Sequence, residues 1–201
     1  MVRPYALLRA GFPYVKTLGM RRCTDFPVDV AVGAEGRIYV LLRQGVIRVW
    51  AFDDYETLPD LVGIGGRGGG DGQFQWPIAV ITDRDENLFV ADEGLHRISS
   101  FNKDGEFLGR WGEHGDGEGQ LNRPAGIAFD AEENIYVSDA MDHRVQKFTK
   151  DGQFLLSWGG LGDGEGEFNM PWGIDVDELG DVYVVDWRND RLQKFTADGE
   201  F

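Results

Sequence analysis

Three times in this chain an aspartate stands five residues ahead of an arginine: Asp92 and Arg97, Asp139 and Arg144, Asp186 and Arg191. A carboxylate next to a guanidinium could serve acid–base chemistry. It is equally the pair that fixes a turn, the carboxylate accepting backbone amides while the arginine closes on it. A catalyst is needed once and a scaffold once per repeat, so a spacing that recurs predicts the structural role, at the hairpin between two strands. His96 and His143 precede two of the arginines, and Asp190 takes that place before the third. Two imidazoles facing one axis would begin a metal site, but the remaining histidine, His114, falls in another loop and the ligand set is incomplete. Capping of the hairpin is the expected role of His96 and His143. The loops Gly115–Gly119 and Gly162–Gly166 both read Gly-Asp-Gly-Glu-Gly. Each offers two carboxylates where calcium wants six to eight oxygens, and no distal bidentate glutamate follows. Neither ends in the Lys-Ser or Lys-Thr of a phosphate loop. A turn that needs several glycines is the expectation.

The elements that must position these residues follow from a period. A shift of 47 residues carries Pro77 onto Pro124 and Pro171, and Phe101 onto Phe148 and Phe195. Within one period four short runs stand out: Gly126–Phe129, Asn134–Ser138, Arg144–Phe148 and Phe154–Trp158. They are β-branched, aromatic or alternating, and Asp-Gly and Gly-Gly steps separate them. Each period therefore predicts a four-stranded antiparallel sheet, with strands a, b, c and d. One such sheet has two apolar faces and cannot bury both alone, so the sheets must stack as the blades of an all-β propeller, about four of them in this chain.

The sequences Pro124-Ala125-Gly126-Ile127-Ala128, Asn134-Ile135-Tyr136-Val137-Ser138-Asp139, His143-Arg144-Val145-Gln146-Lys147-Phe148 and Trp158-Gly159-Gly160-Leu161-Gly162-Asp163-Gly164 resemble the NHL repeat. The resemblance runs from Phe26 onward and implies a TolB-like, six-bladed propeller, of which this chain would be a C-terminally truncated piece. The divisions expected are residues 1–25 as an N-terminal segment with an orphan outer strand at Tyr14–Gly19, then 26–75 as a degenerate blade 1, 76–122 as blade 2, 123–169 as blade 3 and 170–201 as an incomplete blade 4. In blade 1, Leu42 and Val46 replace the aspartate and arginine, and the c–d region Asp53–Asp60 is long and acidic.

Composition narrows the partners. The net charge is −15, and the first 24 residues hold five basic residues and no acid, which leaves 15 basic against 35 acidic residues in the rest. Such a surface repels phosphate, so nucleic acid and anionic membranes are disfavoured as partners. No signal peptide or transmembrane run is visible. A single cysteine, Cys23, excludes an internal disulfide.

Equivalent positions that differ between blades are free to contact a ligand. Antiparallel alternation puts the d–a and b–c loops on one face. There stand Trp76, Arg123 and Met170 at one equivalent position, with Trp172, Met141, Trp187 and Arg188 nearby, types favoured in recognition surfaces. Trp111 and Trp158 are equivalent and are expected between blades. The function expected is a non-enzymatic binding scaffold for a protein or a small molecule, with no cofactor. The resemblance also admits a lyase or lactonase with a calcium or zinc ion on the axis, or the recognition domain of a larger protein such as a ubiquitin ligase or sensor kinase. No nucleophile–base motif supports catalysis.

Overall fold

In the computed structural model, which describes residues 26–51 and 63–201, four antiparallel sheets follow one another along the chain. The expected strand at Tyr14–Gly19, the Asp53–Asp60 loop and Cys23 lie outside the described residues. The first sheet is β1 (Pro27–Val32), β2 (Arg37–Leu42) and β3 (Val46–Ala51). The second is β4 (Pro77–Thr82), β5 (Leu88–Asp92), β6 (Arg97–Phe101) and β7 (Phe107–Trp111). The third is β8 (Pro124–Phe129), β9 (Ile135–Asp139), β10 (Arg144–Phe148) and β11 (Phe154–Gly159), and the fourth is β12 (Pro171–Val176), β13 (Val182–Asp186) and β14 (Arg191–Phe195). Strands pair in chain order within each sheet. Only Arg144–Phe148 coincides with its expected bounds; the other three runs of that repeat differ at one or both ends by a residue or two.

Period-two alternation supplies each sheet with two apolar faces, and the structure buries both. From β5, Leu88 and Val90 turn toward the first sheet, against Tyr39, Leu41, Ile47 and Phe74. Phe89 and Ala91 turn toward the third, against Ile127, Ile135, Val137 and Phe148. Tyr136, Val145, Phe168, Val184 and Phe195 repeat the arrangement between the third and fourth sheets. Burying one such side chain is worth roughly 1.5–3 kcal/mol, so the cohesion of the molecule lies between neighbouring sheets. Aromatic residues at the outer edge add to it. The Trp111 ring sits 4.7 Å from that of Phe148, and Trp158 lies 5.7 Å from Phe195. Both tryptophans are half-buried between sheets, and the Trp111 indole N–H donates to Lys150 O across that junction at 3.3 Å.

The a strands lie side by side, β1 against β4, β4 against β8 and β8 against β12. Asp29 of β1 reaches across to accept the Val80 amide at 2.8 Å. At Gly126 a Cβ would stand 2.4 Å from the Trp172 carbonyl oxygen, so only glycine permits β8 and β12 to approach this closely. Together the a strands line a cavity of about 290 Å³ whose walls include Val30, Val80, Ile127 and Phe129.

Candidate functional site

Asp92, Asp139 and Asp186 are wholly buried at the ends of β5, β9 and β13. Each accepts a backbone amide from the preceding d–a loop: Gln75 at 2.7 Å, Asn122 at 2.6 Å and Asn169 at 2.7 Å. Arg144 Nε donates to Asp139 at 3.0 Å and Arg191 Nε to Asp186 at 2.8 Å. The rest of each guanidinium spreads over three carbonyls of the glycine-rich loop: Asp116, Gly117 and Gln120 for Arg144, and Asp163, Gly164 and Glu167 for Arg191. Gln146 and Gln193 complete the clamp, each donating to the same loop and to the same aspartate. The pair thus ties the d–a loop to the b–c hairpin, a wider role than fixing the hairpin alone. Burial pushes the Asp139 carboxyl up to about 6, against the lowering effects of the Asn122 amide and Arg144.

Blade 2 departs from this pattern. Arg97 holds the equivalent carbonyls of Gly69, Gly70 and Gln73, but its Nε is buried without a partner. Asp92 commits its oxygens to four amides, those of Gln75, Trp76, Gly94 and Leu95. Ser99 stands where the other blades have glutamine, and its hydroxyl is also buried and unpartnered. The expected Asp92–Arg97 pairing is therefore replaced by an amide cage around Asp92.

The histidines cap a neighbour and not their own hairpin. Both adopt the left-handed conformation, φ 53° at His96 and 55° at His143. His96 Nδ1 accepts the Arg123 amide and His143 Nδ1 the Met170 amide, each at 3.1 Å and each in the next blade. With Nδ1 an acceptor, the neutral imidazole carries its proton on Nε2. Burial, and then the neighbouring His114 and Arg123, hold His96 below the ordinary histidine range. His114 packs edge-on against it at 4.4 Å. Among the described residues, no three His, Cys, Asp or Glu groups converge as a metal site requires.

A second repeated device lies at the opposite, a–b end, and only the structure brought it out. Asp83, Asp130 and Asp177 each cap the a–b turn through two amides, those of Asp85 and Asn87, Glu132 and Asn134, and Leu179 and Asp181. These residues are 47 apart, so the period that revealed the Asp–Arg pairs holds them as well. Lys150 bridges two blades there, 3.0 Å from Asp83 and 2.8 Å from Glu133. In the first junction Tyr39 donates to Glu86 at 2.9 Å, and burial pushes the phenol up to about 12.

The residues that differ between blades gather on the d–a/b–c face. Trp76, Met141 and Trp187 are exposed, at 51%, 39% and 49%. Trp172 is half-buried and packs its ring 5.7 Å from Trp187, over which Arg188 lies at 4.5 Å. Arg123 and Met170 adopt left-handed backbone just before the repeated proline, φ 62° and 59°. Ala125, at the position of Trp172, is buried and offers no contact. At the junction of blades 2 and 3, Gln75, Trp76, Glu93, Gly94, His96 and Arg123 line an open pocket of about 370 Å³. Arg123 Nη2 holds the buried Glu93 carboxylate at 3.1 Å. Arg43, from the b–c turn of blade 1, covers Trp76 at 5.8 Å. The structure brings Trp76 and Arg123 together in one pocket, and Trp172, Trp187 and Arg188 in another cluster. Arg43 escaped sequence reasoning because blade 1 breaks the 47-residue register.

The NHL repeat profile matches residues 121–148 and 168–195. No curated protein matches the sequence. Among solved structures, a gluconolactonase from Xanthomonas campestris is similar over 85% of this chain, with TM-score 0.64 and 22% identity. A catalytically inactive virginiamycin B lyase from Staphylococcus aureus is similar over 90%, with TM-score 0.63 and 14% identity. A nidogen/laminin complex is similar over 89%, with TM-score 0.66 and 19% identity. The chain spans 59%, 60% and 62% of those three structures respectively. The chain therefore carries two NHL repeats, on the third and fourth of four stacked antiparallel sheets that have the fold of a β-propeller.

Proposed function

We propose that this chain is part of a six-bladed ring that acts as a binding scaffold, recognising a protein or small-molecule ligand through its d–a/b–c face. One observation supports it. Buried polar residues recur from blade to blade, while the exposed tryptophans, methionine and arginines of this face do not recur. A scaffold needs the first kind; large apolar and cationic side chains held in water favour recognition. One similar chain comes from a nidogen/laminin complex, which favours a protein partner. The lyase and lactonase neighbours share the architecture, from which no chemistry carries over.

The test is a peptide library displayed on phage and panned against the purified protein. Selected peptides are retested on Trp187→Ala and Arg188→Ala, with Leu108→Ala and Leu155→Ala on the outer strands as controls. Losses of about ten-fold or more at the face variants alone are expected. Peptides that ignore Trp187 and Arg188 but need Leu108 or Leu155 would overturn the assignment. A melting temperature that falls on chelation would favour the metal-dependent alternative.

A further inference from the structure

We infer that the pocket between blades 2 and 3 binds a carboxylate, held between Arg43 and Arg123 over the indole of Trp76. The inference rests on the binding-face reading above and specifies one site within it. Three observations carry it. First, the pocket combines an aromatic plate with the guanidinium of Arg123, and the guanidinium of Arg43 lies against the same plate. Trp76 is half exposed, Arg43 lies over it at 5.8 Å, and Arg123 lines the same cavity with 45% of its side chain exposed. Arginine's fork matches a carboxylate in shape as well as in charge. Second, the local charge is not acidic like that of the whole chain. In a protein of net charge −15, the charged lining of this pocket is Arg123 and Glu93, which is buried and committed to Arg123 at 3.1 Å, and Arg43 on Trp76 adds a positive charge beside it. Among the described residues, Arg43 has no carboxylate partner. Third, the pocket is held in shape by parts that a ligand need not disturb. Glu93 orients Arg123 from below, His96 fixes the Arg123 amide, and Asp92 fixes the Gln75 and Trp76 amides. Preorganised donors of this kind spend little of the binding free energy on ordering.

The equivalent junction between blades 3 and 4 is a natural contrast. There Met170 stands in place of Arg123 and Ala140 in place of Glu93, so it lacks the arginine and the carboxylate that orients it. A carboxylate could come from a small acid or from an acidic peptide, and the two are separated by the probes.

The experiment is a titration of the native protein followed by NMR of the tryptophan indole N–H signals. Benzoate is the small-acid probe, a capped hexa-aspartate peptide the chain probe, and benzamide the neutral isostere of benzoate. The Trp76 signal, assigned by its loss in Trp76→Phe, is expected to shift with benzoate, with the peptide, or with both, and not with benzamide. Arg43→Gln, which leaves the Arg123–Glu93 pair intact, is expected to weaken the response about ten-fold or more. A shift with benzoate alone identifies a small acid, and tighter binding of the peptide identifies a chain. Equal shifts with benzamide, indifference to Arg43→Gln, or no response of Trp76 to either acid would each overturn the inference. If panned peptides still depend on Trp187 and Arg188 in that event, the binding face stands without this pocket.

Discussion

Replacing Arg144 by glutamine removes the only cation paired with Asp139 among the described residues, and the structure sets how much that should cost. In the native fold Arg144 donates to Asp139 and Asp142 and to the carbonyls of Asp116, Gly117 and Gln120. The Asp139 side chain is wholly buried, so the variant leaves an unpaired carboxylate, a loss of about 3–5 kcal/mol. Arg97→Gln in blade 2 is the internal control. That arginine holds the same three carbonyls but makes no bond to Asp92, whose charge is already met by four amides. Its loss should cost only about 2 kcal/mol, since the partly exposed loop can rehydrate. Urea unfolding of both variants, with unchanged m values, reads the difference. The cost of Arg144→Gln should also grow with pH. At pH 5 Asp139, raised to about 6, is protonated with or without its arginine. At pH 8 only the native protein offers the ionised form a partner. Equal costs for the two arginines, or an Arg144 cost that is flat with pH, would refute the argument.

Asp139 itself makes a further prediction about pH. Its folded pKa of about 6 lies above its ordinary value of 3.8, so its contribution is complete below pH 3.8 and is lost as pH rises through 6, amounting to about 3 kcal/mol. Calorimetric melting across that window should show this against the opposite trend of Asp83 and Asp130, which are held low chiefly by Asn87 and Asn134, with Lys150 and Lys147 adding to it. Lys150→Met, which unpairs Asp83 and Glu133, should weaken that acid-side loss, measurable as a smaller fall in Tm between neutral pH and pH 3. Gly152→Ala should cost at least about 2 kcal/mol, because φ is +86° and the new methyl would stand 2.3 Å from the Trp111 ring; chemical denaturation checks it. Ser99→Gln should raise Tm, since the longer side chain would reach the Gly72 amide and the Gln73 carbonyl as Gln146 reaches those of Gly119 and Gln120. An unchanged or lower Tm would show that the orphaned Ser99 and Arg97 atoms are satisfied in another way.

What the sequence disclosed and what it withheld follow from one physical cause. Every blade solves the same problem, joining a glycine-rich loop to a hairpin and a sheet to its neighbour, so the solution recurs and the 47-residue period exposes it. Asp139, Arg144, Phe148 and Trp158 were legible for that reason. Asp130 recurs just as regularly and Gln146 in two blades of three, yet glutamine in a strand and aspartate in a turn are common enough to pass for ordinary residues. The contact of His96 with Arg123 spans 27 positions and joins two different blades, and no spacing within one repeat points to it. The pocket was harder still. Trp76, Arg123 and Arg43 meet because three successive blades bring their loops to one rim, and each is an exception within its own repeat. A stacked fold fixes the backbone at every equivalent position, so an exception there is tolerated only where the side chain faces water or a ligand. In blades 2 and 3 those exceptions are a tryptophan and an arginine over a buried glutamate. Solvation alone would not favour that combination, and it marks this rim as the place to look for the ligand.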